Sequence, residues 1–281
     1  MLKNILIVVS KDKKEVFPLS EKIISFLNKK EIINDLYIYD GFSYNITIEK
    51  KYTHAICLGG DGTVLFTARL CAPSSIPVLP INFGRFGFIA SVEPLDWEKE
   101  LIRFIYDEAP IYKRLLLHAQ VKRKEKTILS FEALNDIVGS GASIGKLVNL
   151  EIGFNDVSFG SYRGDGIIIS TPTGSTAYSA ASGGPILDPT VSAFVLTPMA
   201  PFSLSNRPIV LPSSGTIKMK IPTSRHTKIS LIADGQKLLV LQKDDVVYIT
   251  ESKYKASLVE CSPFKFYSAL KTKLGWQGSL L

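Results

Sequence analysis

The sequence predicts an α/β amino-terminal domain with a parallel sheet, followed by a mostly-β sandwich domain. Continuous apolar runs such as Ile5–Val9 alternate in the first third with helical spacing such as that of 16–27, which is the βαβ pattern of a parallel sheet. After about Pro110 the pattern changes to strict alternation, as in 148–154, which is typical of half-buried antiparallel strands. With 281 residues, the chain has room for two domains.

The elements of the first domain, residues 1–110, follow from these periods. Strands are predicted at 5–9, 37–39, 55–58 and 77–81. Helices are predicted at 16–27 and 64–70, and Leu95, Leu101, Ile102 and Ile105 mark another amphipathic helix.

The second domain, residues 111–281, carries the alternating pattern again at 217–221, 229–231 and 246–248. Turns are predicted at Asn155-Asp156 and Asp234-Gly235, and a short helix within the small-residue stretch 175–184. The aromatic tail, from about 260 to 281, is expected to pack back on the first domain.

Composition excludes several classes of function. The net charge of +7 favours anionic partners, but the densest basic cluster, 122–126, has no interleaved aromatic residues, so nucleic-acid binding is not predicted. Three scattered cysteines and three histidines without ligand spacing indicate neither disulfides nor a metal held by the protein alone. No apolar run approaches the roughly 20 residues needed to cross a membrane, and no signal peptide is visible, so a cytoplasmic protein is expected.

The loop Gly59-Gly60-Asp61-Gly62-Thr63 is the strongest chemical signal. It follows a predicted strand and precedes a predicted helix, where open α/β sheets bind ligands. Its glycines allow a phosphate to approach the backbone, and Asp61 could hold a phosphate-bound Mg²⁺ or accept a hydroxyl proton. A tight turn with a capping Asp is the alternative. Neither a P-loop nor a G-x-G-x-x-G fingerprint is present.

Two polar clusters lie in the second domain. Arg163-Gly164-Asp165-Gly166 leads through a strand into 171–179, where Arg163 could hold a diphosphate, Asp165 could accept from ribose or amide donors, and Tyr178 could stack on a base. A glycine-rich turn before a capped helix is the alternative. The pair Asn135-Asp136 on its own indicates a turn.

Taken in this order, the clusters resemble the NAD kinase family, and the likeness covers most of the chain. It extends to the segments 82–88, 183–186 and 273–276, although Phe86 stands where the family pattern has Leu. The resemblance implies an α/β domain joined to a β-sandwich. It implies transfer of the terminal phosphate of ATP or polyphosphate to the 2′-hydroxyl of the adenosine ribose of NAD, with Mg²⁺ or another divalent metal delivered with ATP. It also implies a homodimer or homotetramer.

The resemblance assigns roles residue by residue. Asp61 would be the catalytic proton acceptor and, with Gly62, a substrate contact. The phosphate-donor loop would comprise Gly59, Gly60, Gly62 and Thr63. The remaining NAD contacts would be Asn135, Asp136, Lys146, Arg163, Asp165, Thr176, Ala177, Tyr178, Ser179, Ala180, Ala181, Ala200 and Gln236. The first domain would thus act on the donor, and the second would bind NAD.

Two other functions remain open from the sequence. Diacylglycerol and sphingosine kinases carry a similar Gly-Gly-Asp-Gly-Thr loop, although the polar residues Arg163, Asp165 and Tyr178 are unlike a lipid pocket. A non-catalytic dinucleotide sensor would keep the binding residues without using Asp61 as a base. The sequence does not separate ATP from polyphosphate as donor.

Overall fold

The computed structural model describes residues 3–41, 48, 51–84, 87–90, 92–142, 147–203, 205–222, 228–260 and 265–275. Its first elements are β1 (Asn4–Ser10), α1 (Val16–Lys29), β2 (Ile33–Tyr39), β3 (His54–Gly59), α2 (Asp61–Cys71), β4 (Val78–Asn82) and α3 (Trp97–Ile105). Then follow β5 (Ile111–Arg123), β6 (Lys126–Ala133), β7 (Asp136–Gly141), β8 (Val148–Phe154), β9 (Val157–Gly164), β10 (Gly166–Ser170) and α4 (Tyr178–Ala181). The last are β11 (Ala193–Met199), β12 (Ile209–Pro212), β13 (Ile217–Lys220), β14 (Ile229–Ala233), β15 (Gln236–Leu241), β16 (Val246–Val259) and α5 (Lys265–Lys273).

The chain divides into two compact units, one of residues 1–113 with 255–281 and the other of residues 114–254. In unit 1 the strands lie parallel in the order β2, β1, β3, β4, and Leu258 near the end of β16 pairs with Val78 of β4. The connections from β1 to β2 and from β3 to β4 run through the helices α1 and α2, as crossovers between parallel strands require.

Helices cover both faces of the parallel sheet of unit 1. On one face, α1 and α3 contribute Ile23, Leu27 and Phe104 to a core that also contains the strand residue Ile7. On the other face, Phe66 of α2 stacks against Tyr39 of β2, with ring centroids 4.2 Å apart. Because both faces are buried, β1 and β3 read as continuous apolar runs, which is why the sequence revealed them.

Unit 2 is built from antiparallel strands. One sheet has the order β12, β11, β10, β7, β14, β15, and a second group pairs β9 with β8, β8 with β13, and β13 with β16. The strands β5 and β6 form a hairpin. A β-carbon on Gly139 of β7 would lie 2.7 Å from Met219 Sδ of β13, so the two sheets pack closely face to face. The predicted combination of an α/β domain with a β-sandwich is confirmed.

The short helix predicted within 175–184 is α4, preceded by a 3-10 turn at Thr173–Thr176. The start of α2 differs from its predicted position. Helix α2 begins at Asp61 and not at Val64, because the carbonyl of Gly60 already accepts hydrogen bonds from the N–H groups of Thr63 and Val64. No helix in the described residues is long and apolar enough to span a membrane.

Candidate active site

Asp61 is the first residue of α2, and one residue, Gly60, separates it from the carboxyl end of β3. Gly60 caps the helix in an extended conformation, and Gly62 is exposed in the first helical turn. The N–H groups of this turn face the same end of the sheet as Asp61, and the N-terminus of a helix attracts anions. The predicted phosphate-donor loop thus comprises the last residue of β3, the N-cap residue Gly60 and the first residues of α2.

The Asp61 carboxylate is held by backbone N–H groups. Its Oδ2 accepts a hydrogen bond from the N–H of Phe88 at 3.0 Å. Burial raises the pKa of Asp61 above its ordinary value, while the N–H groups of Phe88, Ala90 and Ile89 and the charge of Lys273 lower it in part. Asp61 Oδ1 is buried and has no hydrogen-bond partner among the described residues, so this oxygen can accept a proton or contact a ligand.

Gly87 lets the backbone approach this carboxylate. A β-carbon at Gly87 would lie 2.5 Å from Asp61 Oδ1 and 3.4 Å from Asn82 Oδ1, so the two oxygens border the same small space. Such oxygen atoms suit Mg²⁺, which usually binds through one or two carboxylates together with substrate phosphates. Among the described residues no group of three or more His, Cys, Asp or Glu side chains could hold a metal. This arrangement fits a metal that arrives with the phosphate donor.

Two lysines that the sequence analysis did not assign to the site lie near this loop. Lys13 Nζ donates a hydrogen bond to the carbonyl of Phe83 at 2.7 Å, and its Cε would lie 3.6 Å from a β-carbon on Gly60. Lys273, in α5, places its Nζ 5.4 Å from the centroid of the Phe88 ring. Lys13 could have been noticed only because it follows a predicted strand, and Lys273 only because it begins the segment 273–276.

In unit 2 the pair Asn135-Asp136 is fixed by Asp234. The Asp234 carboxylate accepts hydrogen bonds from the N–H groups of Leu134 (3.0 Å), Asn135 (2.7 Å) and Asp136 (3.2 Å). The N–H of Asp234 in turn donates to the carbonyl of Asp136 at 3.0 Å. Asp234 and Gly235 form the predicted turn between β14 and β15, and Gln236 begins β15. Asn135-Asp136 is not a turn, since Asp136 begins β7.

The segment after β10 packs directly on this pair. The N–H of Thr171 donates to the carbonyl of Asn135, and Thr171 Oγ1 donates to the carbonyl of Leu134 at 2.6 Å. A β-carbon on Gly174 would collide with the main chain of Asn135, so glycine is needed for this close approach. The segments around 135 and 171–176 therefore lie side by side, although the sequence separates them.

Both candidate side chains of the pair are almost fully buried. Asn135 Oδ1 has no hydrogen-bond partner among the described residues. Burial, together with the nearby charge of Asp234, raises the pKa of Asp136 to about 7. A ligand that donates hydrogen bonds, such as an amide, an amino group or a sugar hydroxyl, would satisfy these acceptors.

Helix α4 presents a mixture of exposed and buried candidates. Tyr178 is 46% exposed, so its ring is accessible to a ligand. Ser179 is buried, and its hydroxyl forms a hydrogen bond of 2.9 Å with the hydroxyl of Thr197, so this side chain holds α4 against β11. Thr176 Oγ1 donates to the carbonyl of Thr173, Ala177 and Ala180 are partly buried, and Ala181 is exposed.

Arg163, Asp165 and Ala200 form a separate group in unit 2. The N–H of Asp165 donates to the carbonyl of Met199, which precedes Ala200, and the guanidinium of Arg163 lies 5.0 Å from the ring centroid of Phe202. This group lies at the start of β10, whereas Asp136 pairs with Ser170 at its end. The separation along the strand is about 13 Å, at roughly 3.3 Å per residue.

Two residues named from the sequence, Phe86 and Lys146, lie outside the described part of the chain. Among the described residues, hydrogen bonds bring Asn135, Asp136, the segment 171–176 and the turn before Gln236 into one cluster. The structure places Arg163, Asp165 and Ala200 at the opposite end of β10.

Comparison with known proteins shows which family this chain is similar to. The model of the ATP-NAD kinase N-terminal domain matches residues 43–109, and that of the ATP-NAD kinase C-terminal domain matches residues 134–261. A protein named NAD kinase from Treponema denticola is 56% identical over 278 residues, which are 99% of this chain and 98% of that protein. The chain belongs to the NAD kinase family. A NAD kinase from Caldanaerobacter subterraneus is 36% identical over 81% of this chain and 80% of its own length.

Two solved structures share the fold of this NAD kinase family member. Yeast NADH kinase in complex with NADH has a TM-score of 0.88, with 24% identity over 100% of this chain and 89% of the yeast chain. An NAD kinase from Archaeoglobus fulgidus in complex with ATP has a TM-score of 0.76, with 24% identity over 98% of this chain and 100% of that one.

Proposed function

We propose that this chain transfers the terminal phosphate of ATP to the 2′-hydroxyl of the adenosine ribose of NAD, forming NADP and ADP. Family membership supports the reaction class. The observation that carries the proposal is Asp61, a buried carboxylate at the start of a helix, with one oxygen held by Phe88 and the other unpaired among the described residues.

Asp61 would act as the proton acceptor. As the bond between the ribose oxygen and the terminal phosphorus forms, the bond from that phosphorus to the leaving ADP oxygen breaks, and the hydroxyl proton passes to Asp61. An Asp with an ordinary pKa is a weak base for this step, and burial of Asp61 raises its pKa toward a more useful range. Mg²⁺ bound to the donor would neutralise charge on the transferring phosphoryl group.

The residues of unit 2 would bind NAD. Asn135 and Asp136 offer buried acceptors to amide, amino or hydroxyl groups, and the exposed ring of Tyr178 offers a stacking surface. Arg163 supplies a guanidinium suited to a diphosphate. The proposal also includes contacts from Asp165, Ala200 and Gln236.

Several finer features of the proposal rest on the family resemblance. They are polyphosphate as a second donor, a homodimer or homotetramer, and a cytoplasmic location. Light scattering of the purified protein would test the assembly, and NADP formation with polyphosphate in place of ATP would test the donor.

The decisive experiment measures NADP formation by the purified protein with ATP, Mg²⁺ and NAD, in parallel with Asp61→Asn. The variant should lose at least about a hundredfold in kcat, since a base engaged in proton transfer commonly contributes that much. Its affinity for NAD, measured by calorimetry, should change little.

The matched control is Asp96→Asn, which changes an exposed Asp at the start of α3. It should retain wild-type activity. Full activity of Asp61→Asn would contradict the proposed role of Asp61. NAD binding without NADP formation would favour a dinucleotide sensor, and phosphorylation of diacylglycerol in place of NAD would favour a lipid kinase.

A further inference from the structure

Ser170, the last residue of β10, carries a fully buried hydroxyl next to the candidate NAD residues. Its Oγ atom has no hydrogen-bond partner among the described residues. Two buried hydroxyls of the following segment do have partners: Thr171 Oγ1 donates to the carbonyl of Leu134, and Ser175 Oγ donates to the carbonyl of Pro172 at 2.7 Å. A buried hydroxyl without a partner destabilises a protein, so the one on Ser170 indicates a role beyond packing.

Ser170 stands directly opposite Asp136 on the neighbouring antiparallel strand β7. The N–H of Thr171 donates to the carbonyl of Asn135, which makes these adjoining positions a hydrogen-bonded pair. The two kinds of pair alternate along antiparallel strands, so Ser170 and Asp136 form a non-hydrogen-bonded pair, whose Cα atoms lie about 4.5 Å apart. Opposite side chains are closest in pairs of this kind. A change of rotamer at Ser170 can therefore bring its hydroxyl within reach of the Asp136 carboxyl.

Both side chains lie on the outer face of their sheet. Side chains alternate along a strand, and a β-carbon on Gly139 of β7 would face the other sheet, so Asp136 faces away from it. Helix α4 lies on that outer face, because the hydroxyl of its Ser179 forms a hydrogen bond with Thr197 of β11, whose side chain points the same way as that of Ser170. Ser170 and Asp136 therefore share a face of the sheet with the helix that carries candidate NAD contacts.

We infer that Ser170 is a positioning residue for NAD, whose hydroxyl donates a hydrogen bond to the carboxyl of Asp136 when NAD binds there. The inference rests on the proposed function, because Ser170 would act on NAD through Asp136. A ligand that donates to one oxygen of Asp136 would orient the carboxyl, and Ser170 would hold the second oxygen. Because the hydroxyl is unpaired among the described residues, a hydrogen bond formed on binding would add to the affinity for NAD.

The test compares Ser170→Ala and Ser170→Thr with the wild type, by calorimetry with NAD, by the kinetics of NADP formation and by thermal unfolding. Ser170→Ala should bind NAD about tenfold more weakly and raise KM for NAD to match, with little change in kcat, since a hydrogen bond to a charged group commonly contributes that much. It should unfold near the wild-type temperature, because it removes a hydroxyl that has no partner. Ser170→Thr keeps the hydroxyl and should restore most of the affinity.

The matched control is Ser20→Ala. Ser20 is also buried, and its hydroxyl donates to the carbonyl of Phe17 at 2.8 Å within unit 1. This variant should bind NAD as the wild type does.

A double-mutant cycle with Asp136→Ala tests whether Ser170 acts through Asp136. In the Asp136→Ala background, Ser170→Ala should change the affinity for NAD by less than about twofold, because the two residues are coupled. The same tenfold loss in both backgrounds would overturn the inference. A lowered unfolding temperature with wild-type affinity for NAD would also overturn it, since the hydroxyl would then serve stability alone.

Two provisions keep the outcomes distinct. If Ser170→Ala does not fold, Ser170→Cys takes its place, since it keeps the size of the side chain and replaces the hydroxyl with a weak donor. Absence of NAD binding and of NADP formation in the wild type would contradict the proposed function and with it this inference. Normal binding and turnover in the wild type, with unchanged affinity in the Ser170 variants, would contradict the inference alone.

Discussion

Asp234 Oδ1 lies 2.7 Å from the backbone nitrogen of Asn135, and this contact fixes the main chain on which the candidate NAD residues stand. The same carboxylate also accepts from Leu134 and Asp136. A residue in the turn between β14 and β15 thus fixes the conformation of residues 134–136, which are about 100 residues away in sequence.

Replacing Asp234 with Asn should weaken NAD binding more than it slows the chemical step. The amide can accept fewer hydrogen bonds and carries no charge, so the loss in stability should be about 1–3 kcal/mol. KM for NAD should rise about tenfold, with a smaller change in kcat. Steady-state kinetics and thermal unfolding measure both effects.

The control for this substitution is Asp244→Asn, since Asp244 is also a turn residue with positive φ but is exposed. It should leave KM for NAD unchanged. Equal KM values in wild type and Asp234→Asn would show that Asp234 does not organise the NAD residues.

Gly174→Ala should disturb the main chain of Asn135, which Asp234 also holds. Its methyl group would collide with the main chain of Asn135, so either Asn135 or the segment 171–176 must move. We expect a loss of about 1–3 kcal/mol in stability, as in other overpacked sites, and weaker NAD binding by calorimetry.

The comparison variant is Gly160→Ala, because Gly160 has a φ of +87° and open space around it. It should cost about 1 kcal/mol through backbone strain and leave NAD affinity intact. If Gly174→Ala binds NAD as the wild type does, the close approach of the two segments is not required for binding.

The sequence predicted the parts of this fold in which one period dominates. The buried runs of β1 and β3 and the alternation of β8 were visible, and they placed the Asp61 loop at the end of a strand. By contrast, the sequence did not predict β9, because most of its residues are exposed and show no alternation of apolar and polar side chains. Strand β2 was seen only at its carboxyl end, since its exposed amino-terminal part includes the polar Asn34 and Asp35.

The candidate site was predicted less completely than the fold. Asp61 stood out because glycines surround it, and Asn135-Asp136 stood out only with its neighbours. Lys13 and Lys273 carry no local signature, since chain folding alone brings them near the loop. Asp234 was interpreted as a turn residue, and its hydrogen bonds to the chain near Asn135 depend on strand pairing that no local pattern reveals.

Stability should depend on pH through Asp136. The pKa of this carboxyl rises from 3.8 to about 7 on folding, so the folded state binds its proton more tightly than the unfolded state. This contribution is fully present below about pH 4 and is lost as the pH rises through about 7. Asp136→Asn should remove the dependence and stabilise the protein above pH 7 by a few kcal/mol, on the order given by about 1.4 kcal/mol per pKa unit.

Chemical unfolding of wild type and Asp136→Asn from pH 4 to pH 8 measures this difference. His54 acts with the opposite sign, because burial lowers its pKa, but both proteins retain it and the comparison cancels its effect. The same variant should bind NAD more weakly, so activity and stability should change in opposite directions. A difference in stability that does not vary with pH would contradict the assignment to Asp136.

Lys13 should serve the phosphate donor. Its ammonium lies beside the first turn of α2, where an arriving phosphate would meet it. Lys13→Met should raise KM for ATP about tenfold while leaving the calorimetric affinity for NAD unchanged.

Lys14→Met removes the neighbouring exposed lysine and should behave as the wild type. If both variants show the same KM for ATP as the wild type, Lys13 only supports the carbonyl of Phe83.

Val259 packs in the same core as Ile5, Ile56 and Leu79, so unit 1 cannot complete its core until the end of the chain has been synthesised. When residue 113 leaves the ribosome, unit 1 still lacks the strand and helix that residues 255–275 supply. At about 5–20 residues per second, the nascent chain waits roughly 7–30 s before its first core can close. Unit 2, which is continuous in sequence, emerges completely before unit 1 can finish folding.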